Sequence, residues 1–146
     1  MAFERKDPFG GYNFAVEMDG ITRMGFKQAS GLDSSSDVTK YREGTDATLG
    51  QRQLPGLLTF SNISLQRGIT DDHALWDWRI SVATGNPVRR TISIILRDAN
   101  GAEKIRWNVK NCWPLKWSGP SFDATTDAVA IETLELAHEG IEVQKW

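Results

Sequence analysis

Three polar residues that could bind a metal or transfer a proton stand side by side, Asp71, Asp72 and His73, in the stretch GITDDHALWDW. Carboxylates and imidazoles bind zinc and act as general acids and bases. On a helix, however, adjacent side chains point about 100° apart, so three neighbours cannot converge on one ion or substrate. Thr70 is a residue type that caps helices, and acidic side chains favour the positive end of the helix dipole. The stretch therefore predicts the start of a helix, with no catalytic and no metal-binding residues.

A second set of residues with acid–base potential is His138 with Glu132, Glu135 and Glu139. Glu132 and Glu139 fall on a predicted strand and at its end, where alternating charge is typical of a solvated face. No phosphate-binding glycine motif, CxxC pair or GxSxG elbow occurs in the chain. We therefore predict a protein that is not an enzyme and that needs no cofactor.

The helix that these acidic residues begin is predicted to cover about residues 71–84, before Gly85-Asn86-Pro87 ends it. Its apolar residues form a broad arc that we expect to pack on the core. They are Leu75, Trp76, Trp78, Ile80 and Val82. Arg79 falls in the middle of this arc, so we expect its guanidinium to meet a partner across a subunit boundary.

Alternating apolar residues predict several strands around this helix. The first runs from Tyr12 to Met18, and a three-residue turn over residues 19–21 would place Val16 opposite Met24 and Phe14 opposite Phe26. In residues 57–67 the apolar phase changes, which indicates a bulge or a bend between two sheets.

The clearest hairpin joins residues 88–97 to residues 104–110 through the turn DANG. After it, Pro114 is expected to break a short strand, and a long strand is expected from about Ala128 to Ala137. The pattern as a whole is mainly β with one helix.

Residues 30–56 differ from the rest because they have few large apolar side chains and many Gly, Ser, Asp and Thr residues. The segment predicts an extended arm, with strand at its base and an irregular tip, held against something other than its own core. Disorder of the arm in the free subunit is the alternative.

Length and charge limit the function further. The 146 residues fit a single domain, and the net charge of −2 is too small to attract nucleic acid or anionic membranes as a whole. A basic ribbon is present, but such a ribbon more often forms salt-bridged subunit contacts than it binds nucleic acid sequence-specifically. Its residues are Arg89, Arg90, Lys104, Arg106 and Lys110.

Apolar stretches long enough to cross a membrane are absent, and no apolar run follows the charged N-terminal residues, so we expect synthesis and folding in the cytoplasm. Cys112 is the single cysteine and cannot form an internal disulfide. The six tryptophans are an excess that hints at association, since large aromatic side chains are favoured in interfaces.

Four motifs in order carry a resemblance to a known family: LPGLLTFSNISLQRGITDDHALWDW, RRTISIIL, NCWPLKWSGP and AVAIETLELAHEGIE. Together they resemble the tail tube proteins of contractile phages and of phage-like contractile injection systems, with a close match to the inner-tube subunits of extracellular injection systems. The resemblance spans about Asp7 to Val143.

This resemblance implies a small β-sandwich or barrel of two packed sheets with one flanking α-helix. It also implies hexameric rings that stack into a tube, with strands of six subunits closing a continuous β-barrel around the lumen. The implied partners are a sheath protein, a baseplate, tube-terminating proteins and a cargo effector, in a phage-like particle that is assembled in the cytoplasm and can be released from the cell.

Through the same resemblance the arm is expected to reach neighbouring subunits. The residues expected at subunit interfaces are Tyr41, Arg42, Glu43, Leu54, Pro55, Arg79, Trp113 and Trp117. Two alternatives remain open: a contractile-phage tail tube that conducts DNA, and a carbohydrate- or ligand-binding β-sandwich whose tryptophans form an exposed stacking platform.

Overall fold

The computed structural model describes residues 5–19 and 22–146, which form ten strands and one helix. The first strands are β1 (Phe14–Met18), β2 (Thr22–Met24), β3 (Gln28–Ser30), β4 (Ser34–Tyr41), β5 (Arg52–Phe60) and β6 (Ile63–Gly68). They are followed by α1 (Ala74–Ala83), β7 (Arg90–Arg97), β8 (Glu103–Ser118), β9 (Ile131–Ala137) and β10 (Gly140–Lys145). The predicted mainly β architecture with one flanking helix is confirmed.

Strand β8 organises the body of the molecule because it belongs to two layers. Its first part pairs with β7 and β10, and its last part pairs with β9. The first sheet therefore has the order β2-β1-β7-β8-β10, and the second has the order β8-β9-β6-β3. All of these neighbours are antiparallel.

Pro114 does not break a strand, contrary to the prediction, but lies buried within the sixteen residues of β8. Among the described residues this part of β8 has one strand neighbour, β9, and the pairing shifts register between Pro114 and Lys116. The Pro114 carbonyl accepts a hydrogen bond from α1 instead. Proline is tolerated here because strands tolerate it at edges and bulges.

The apolar faces of the two layers pack against each other in a single core. Its members alternate along the strands, as expected for strands buried on one face. From the first layer come Val16, Ile92, Ile94 and Val109, and from the second Ile63, Leu65, Leu134 and Leu136. Leu75 and Trp78 of α1 complete the core.

Of the two hairpins predicted from the sequence, one has the expected strand pairs throughout and the other has only part of them. Strands β7 and β8 pair as expected, with Ile94 opposite Trp107. The β1–β2 register places Val16 opposite Met24, which confirms the three-residue connection between Met18 and Thr22. Strand β2 ends at Met24, however, so the expected pair of Phe14 with Phe26 does not form.

The phase change in residues 57–67 marks a passage between sheets. Strand β5 ends at Phe60 in a separate two-stranded sheet with β4, and β6 begins at Ile63 in the second layer. Downstream, β9 begins at Ile131, three residues later than expected, after an exposed loop.

Helix α1 begins at Ala74 rather than at residue 71, and its N-cap position is His73, without a side-chain cap. The predicted Thr70 cap is wrong, because the Thr70 hydroxyl accepts a hydrogen bond from the Asp72 N–H, before the helix. The apolar arc is only partly buried: Leu75 and Trp78 are buried, whereas Trp76 and Ile80 are exposed.

Candidate subunit interface

The hairpin of β4 and β5 stands apart from the two packed layers. It is a separate two-stranded sheet in which every residue except Phe60 is exposed. It overlaps the predicted arm and continues beyond it to Phe60, whose ring packs 5.5 Å from the ring of His138. The hairpin thus joins the body at its base and projects from it.

Apolar side chains occupy both faces of this hairpin. Val38 is paired with Pro55, and the next pair along, Thr39 with Leu54, points to the other face. Leu57 and Leu58 are adjacent and 78% and 59% exposed. A two-stranded hairpin is marginally stable in water, and an exposed apolar strand is an association site. Both faces therefore present surface that a neighbouring molecule could bury.

Hydrogen bonds order the tip of the hairpin, although its backbone is irregular. The Tyr41 hydroxyl donates to Glu43 Oε1 at 3.3 Å, and Arg42 Nε donates to the Thr48 carbonyl at 3.0 Å. Asp46 accepts from the Glu43 N–H at 3.0 Å and from Arg52 Nη2 at 2.8 Å. Three of the predicted interface residues thus share one polar cluster, which Asp46 and Arg52 complete.

Sequence reasoning missed Asp46 and Arg52. The one available signal was that charges of both signs, Arg42, Glu43, Asp46 and Arg52, flank a loop of small residues.

The last three predicted interface residues lie on α1 (Arg79) and on the final part of β8 (Trp113 and Trp117). The rings of Trp76 and Trp117 meet edge to face, with centroids 4.9 Å apart. Trp113 and Trp117 are half-buried. Arg79 Nη1 donates to the Pro114 carbonyl at 3.2 Å, so Arg79 has a partner within its own chain. The expected contact of Arg79 across a subunit boundary stays a prediction.

A buried ion pair joins β6 to β9 within the second layer. Arg67 and Glu132 lie opposite each other on β6 and β9, each 4% exposed, and Arg67 Nε donates to Glu132 Oε1. The expectation that Glu132 lies on a solvated face is therefore wrong. Glu132 Oε2 also accepts from Trp117 Nε1 at 3.1 Å.

Asp72 connects this ion pair to the helix. It accepts from Arg67 Nη1 at 3.2 Å and, through Oδ1, from the Ala74 N–H at 3.0 Å. The backbone hydrogen bond from Ala74, and next the hydrogen bond from Arg67, lower the pKa of the Asp72 carboxyl. Asp72 thus anchors the helix start structurally, as expected for the acidic stretch, although from outside the helix.

The outward face of the first layer is polar and ion-paired. Arg106 Nη1 donates to Glu17 at 2.9 Å, and Nη2 donates to Glu103 at 2.6 Å. These hydrogen bonds raise the pKa of Arg106, and the bond to Glu17 has the larger effect. Ser93, Asn108 and Gln144 continue this face through side-chain hydrogen bonds.

Every member of the basic ribbon has a carboxylate partner within 4 Å in the same chain. The pairs are Arg89–Glu139, Arg90–Asp19, Lys104–Asp98, Arg106–Glu17 and Lys110–Glu142. The ribbon is therefore salt-bridged, as expected, but within one subunit. Charges neutralised in this way offer little to a phosphate backbone.

The residues with acid–base potential are held by structural contacts. His138 Nδ1 accepts from the Gly140 N–H at 3.2 Å, and Nε2 lies 2.7 Å from the Ser61 carbonyl. In residues 5–19 and 22–146, no group of three or more His, Cys, Asp or Glu side chains could hold a metal ion. The same residues contain no helix long and apolar enough to span a membrane.

Comparison with known proteins assigns this fold to a family. The family model of the T4-like virus tail tube protein gp19 matches residues 10–142. No curated protein matches the chain.

Solved structures extend the likeness over the whole chain. A chain in the structure of the anti-feeding prophage cap, a tube-terminating cap, is 30% identical with a TM-score of 0.88, covering 100% of this chain and 97% of that one. A chain of the PVC sheath-tube complex, an extracellular contractile injection system in its extended state, is 30% identical with a TM-score of 0.84, covering 95% and 93%. Hcp1 from Flavobacterium johnsoniae, 15% identical with a TM-score of 0.57 and covering 92% and 97%, shares the fold.

The matching family and the two assemblies that contain the 30% identical chains are tube structures rather than enzymes, which agrees with the prediction made from the residues. The chain belongs to the T4-like tail tube protein gp19 family.

Proposed function

We propose that this chain is the inner-tube subunit of a contractile injection system and assembles into stacked hexameric rings that form a conduit for a cargo effector. The observation that carries this proposal is the β4–β5 hairpin, an exposed arm with apolar residues on both faces. An arm of this kind gains stability only when neighbours cover it, and ring formation with stacking supplies a neighbour on each side.

The polar face of the first layer suits the lumen of such a tube. A channel wall must remain wetted, and the partly or fully exposed side chains of Arg106, Asn108 and Gln144 keep this face polar. In the proposed assembly the first layers of six subunits form the continuous luminal barrel, which leaves the sheet no free edge.

The proposed partners are those of the related assemblies. The relatives include a tube within a sheath, a tube terminator and a baseplate chain. We infer equivalent partners here, in a phage-like particle that is assembled in the cytoplasm and acts outside the cell. Because the 30% identical relatives belong to injection particles, we propose an effector rather than DNA as cargo.

A carbohydrate-binding role has less support. A sugar platform needs aromatic rings that present a flat exposed face. Trp76 and Trp117 meet at 74°, Trp107 and Trp146 at 72°, and Trp78 is buried. These edge-on arrangements favour packing over stacking on a sugar.

The hairpin is tested by replacing Leu57 and Leu58 together with serine, with Thr39→Ser as a control on the same hairpin. Both changes lie on exposed positions, so the urea midpoint of the subunit should stay unchanged. We expect the double variant to lose rings and tubes in sedimentation velocity and negative-stain images, whereas Thr39→Ser retains them. Assembly of the double variant at the parent's concentration would contradict the proposed role of the arm.

A further inference from the structure

The first layer ends in two open edges. Among the described residues β10 pairs with β8 on one side, β2 pairs with β1, and neither has a second strand neighbour. Residues 142–145 of β10 are all exposed. An unpaired edge of this length is a template for another strand.

The charged residues of β10 do not shield this edge. Lys110 Nζ lies 2.6 Å from the Glu142 carboxylate, and Lys145 Nζ donates to the Glu103 carbonyl at 3.1 Å, so both charges turn toward their own sheet. Val143 and Trp146 remain 44% and 82% exposed beside the edge. The edge therefore combines unpaired backbone groups with uncovered apolar surface.

Strand direction determines how two such edges can meet in a ring. Each neighbouring pair in the order β2-β1-β7-β8-β10 is antiparallel, so across five strands β2 and β10 run in the same direction. Rotation about a ring axis preserves strand direction relative to that axis. A head-to-tail contact that closes a ring joins two different edges.

We propose that β10 of one subunit pairs with β2 of the next as a parallel pair, the one parallel junction in an otherwise antiparallel barrel wall. This inference rests on the proposed ring and specifies its seam. Because β2 has three residues, the shared ladder is short, and parallel pairing is slightly less stable per residue than antiparallel pairing. Side-chain contacts must therefore contribute to the seam.

The register places the two edge positions at the same level of the sheet. Position 23 lies opposite Glu17 in the β1–β2 register, Glu17 lies opposite Ser93, Ser93 lies opposite Asn108, and Asn108 lies opposite Glu142. Positions 23 and 142 are therefore the edge positions of one row across the first layer.

The test uses cysteine pairs in the full chain, where the native Cys112 is buried. Disulfides form when two Cα atoms come within about 4.4–6.8 Å. Position 23 of β2 could lie opposite either position 142 or position 144 of β10 in the neighbouring subunit. Arg23→Cys is therefore combined with Gln144→Cys and, in a second variant, with Glu142→Cys. We expect at least one pair to give, after mild oxidation, a ladder of covalent oligomers that ends at the ring size.

Two controls test whether β10 pairs with a strand other than β2 of the neighbouring subunit. Gln28→Cys with Gln144→Cys probes the open edge of β3, and Gln144→Cys alone probes a β10–β10 contact; neither should cross-link beyond the parent. Cross-linking through Gln28, or dimers from Gln144→Cys alone, would overturn the parallel seam. Rings in negative stain without any cross-link between positions 23 and 142 or 144 would overturn the seam but leave the tube proposal standing. Absence of both rings and cross-links would overturn both.

Discussion

Arg67 on β6 and Glu132 on β9 face each other as a buried ion pair, and Arg67 also contacts Asp72 in the loop before α1. Both members of the ion pair are almost fully shielded from water. Removing one partner of a buried pair leaves the other charge uncompensated, which costs more than the pair itself contributes.

We therefore predict that Glu132→Ala lowers the free energy of unfolding by about 3–5 kcal/mol, in the range found for broken buried pairs. The measurement is urea denaturation at protein concentrations low enough to keep the subunit monomeric. The matched control is Glu142→Ala, which removes the exposed partner of Lys110 and should cost about 0–1 kcal/mol. Equal effects of the two variants would refute the structural role of Glu132.

A second prediction concerns Asp72 and pH. Its pKa is lowered from the usual 3.8 by the Ala74 and Arg67 hydrogen bonds, so its charged form is favoured in the folded state. The stabilisation is present above the unfolded pKa and is lost as the pH falls through the lower folded pKa. Asp72→Asn keeps an acceptor for the Ala74 N–H but loses the charge opposite Arg67.

Above about pH 5 Asp72 is charged in both the folded and the unfolded state, so the difference in stability between the parent and Asp72→Asn should be constant from pH 5 to 8. Below about pH 4 the unfolded state takes up a proton first, and the difference should shrink. Thermal melting across this range measures it. A difference that grows on acidification would have the wrong sign for this account.

Trp78 is the predicted anchor of α1 in the core. It is 4% exposed, and its Nε1 donates to the Val88 carbonyl at 2.6 Å. Trp78→Ala should lower the free energy of unfolding by about 3–5 kcal/mol, as expected for loss of a large buried aromatic side chain. Trp76→Ala, at a 44% exposed position on the same helix, should cost much less. If Trp78→Ala melts like the parent, the assignment of the buried helix face is wrong.

Cys112 offers a probe of the fold that is independent of assembly. Burial raises the pKa of its thiol to about 12, and the thiolate is the reactive form. We predict that the native protein does not react with a thiol reagent at pH 8 and that the thiol reacts fully in denaturing urea. Rapid modification of the native chain would mean that the core around Cys112 opens readily.

Periodicity predicted the elements whose residues alternate regularly. The β7–β8 hairpin and the β1–β2 register follow from where Ile94, Trp107, Val16 and Met24 fall, because one face of each strand is buried. Residue type alone misled at Pro114, because its tolerance depends on β8 having a single strand neighbour there.

The sequence alone did not predict the contacts between residues that are far apart in the chain. Arg67 lies 65 positions from Glu132, and their pairing requires β6 and β9 to be neighbours, which local patterns do not determine. Strand β10 also escaped prediction, because Ile141 and Val143 alternate over too few residues to distinguish a strand from a tail. The hairpin residues were expected at an interface through family resemblance, and the exposure of both faces of the hairpin supports that proposal.

The most direct test of the central claim is the architecture of the purified full chain at high concentration, determined by negative-stain class averages together with light scattering. The tube account predicts six-fold rings with a central hole, which stack into tubes as the concentration rises. A monodisperse monomer across the whole concentration range, without rings, would contradict it.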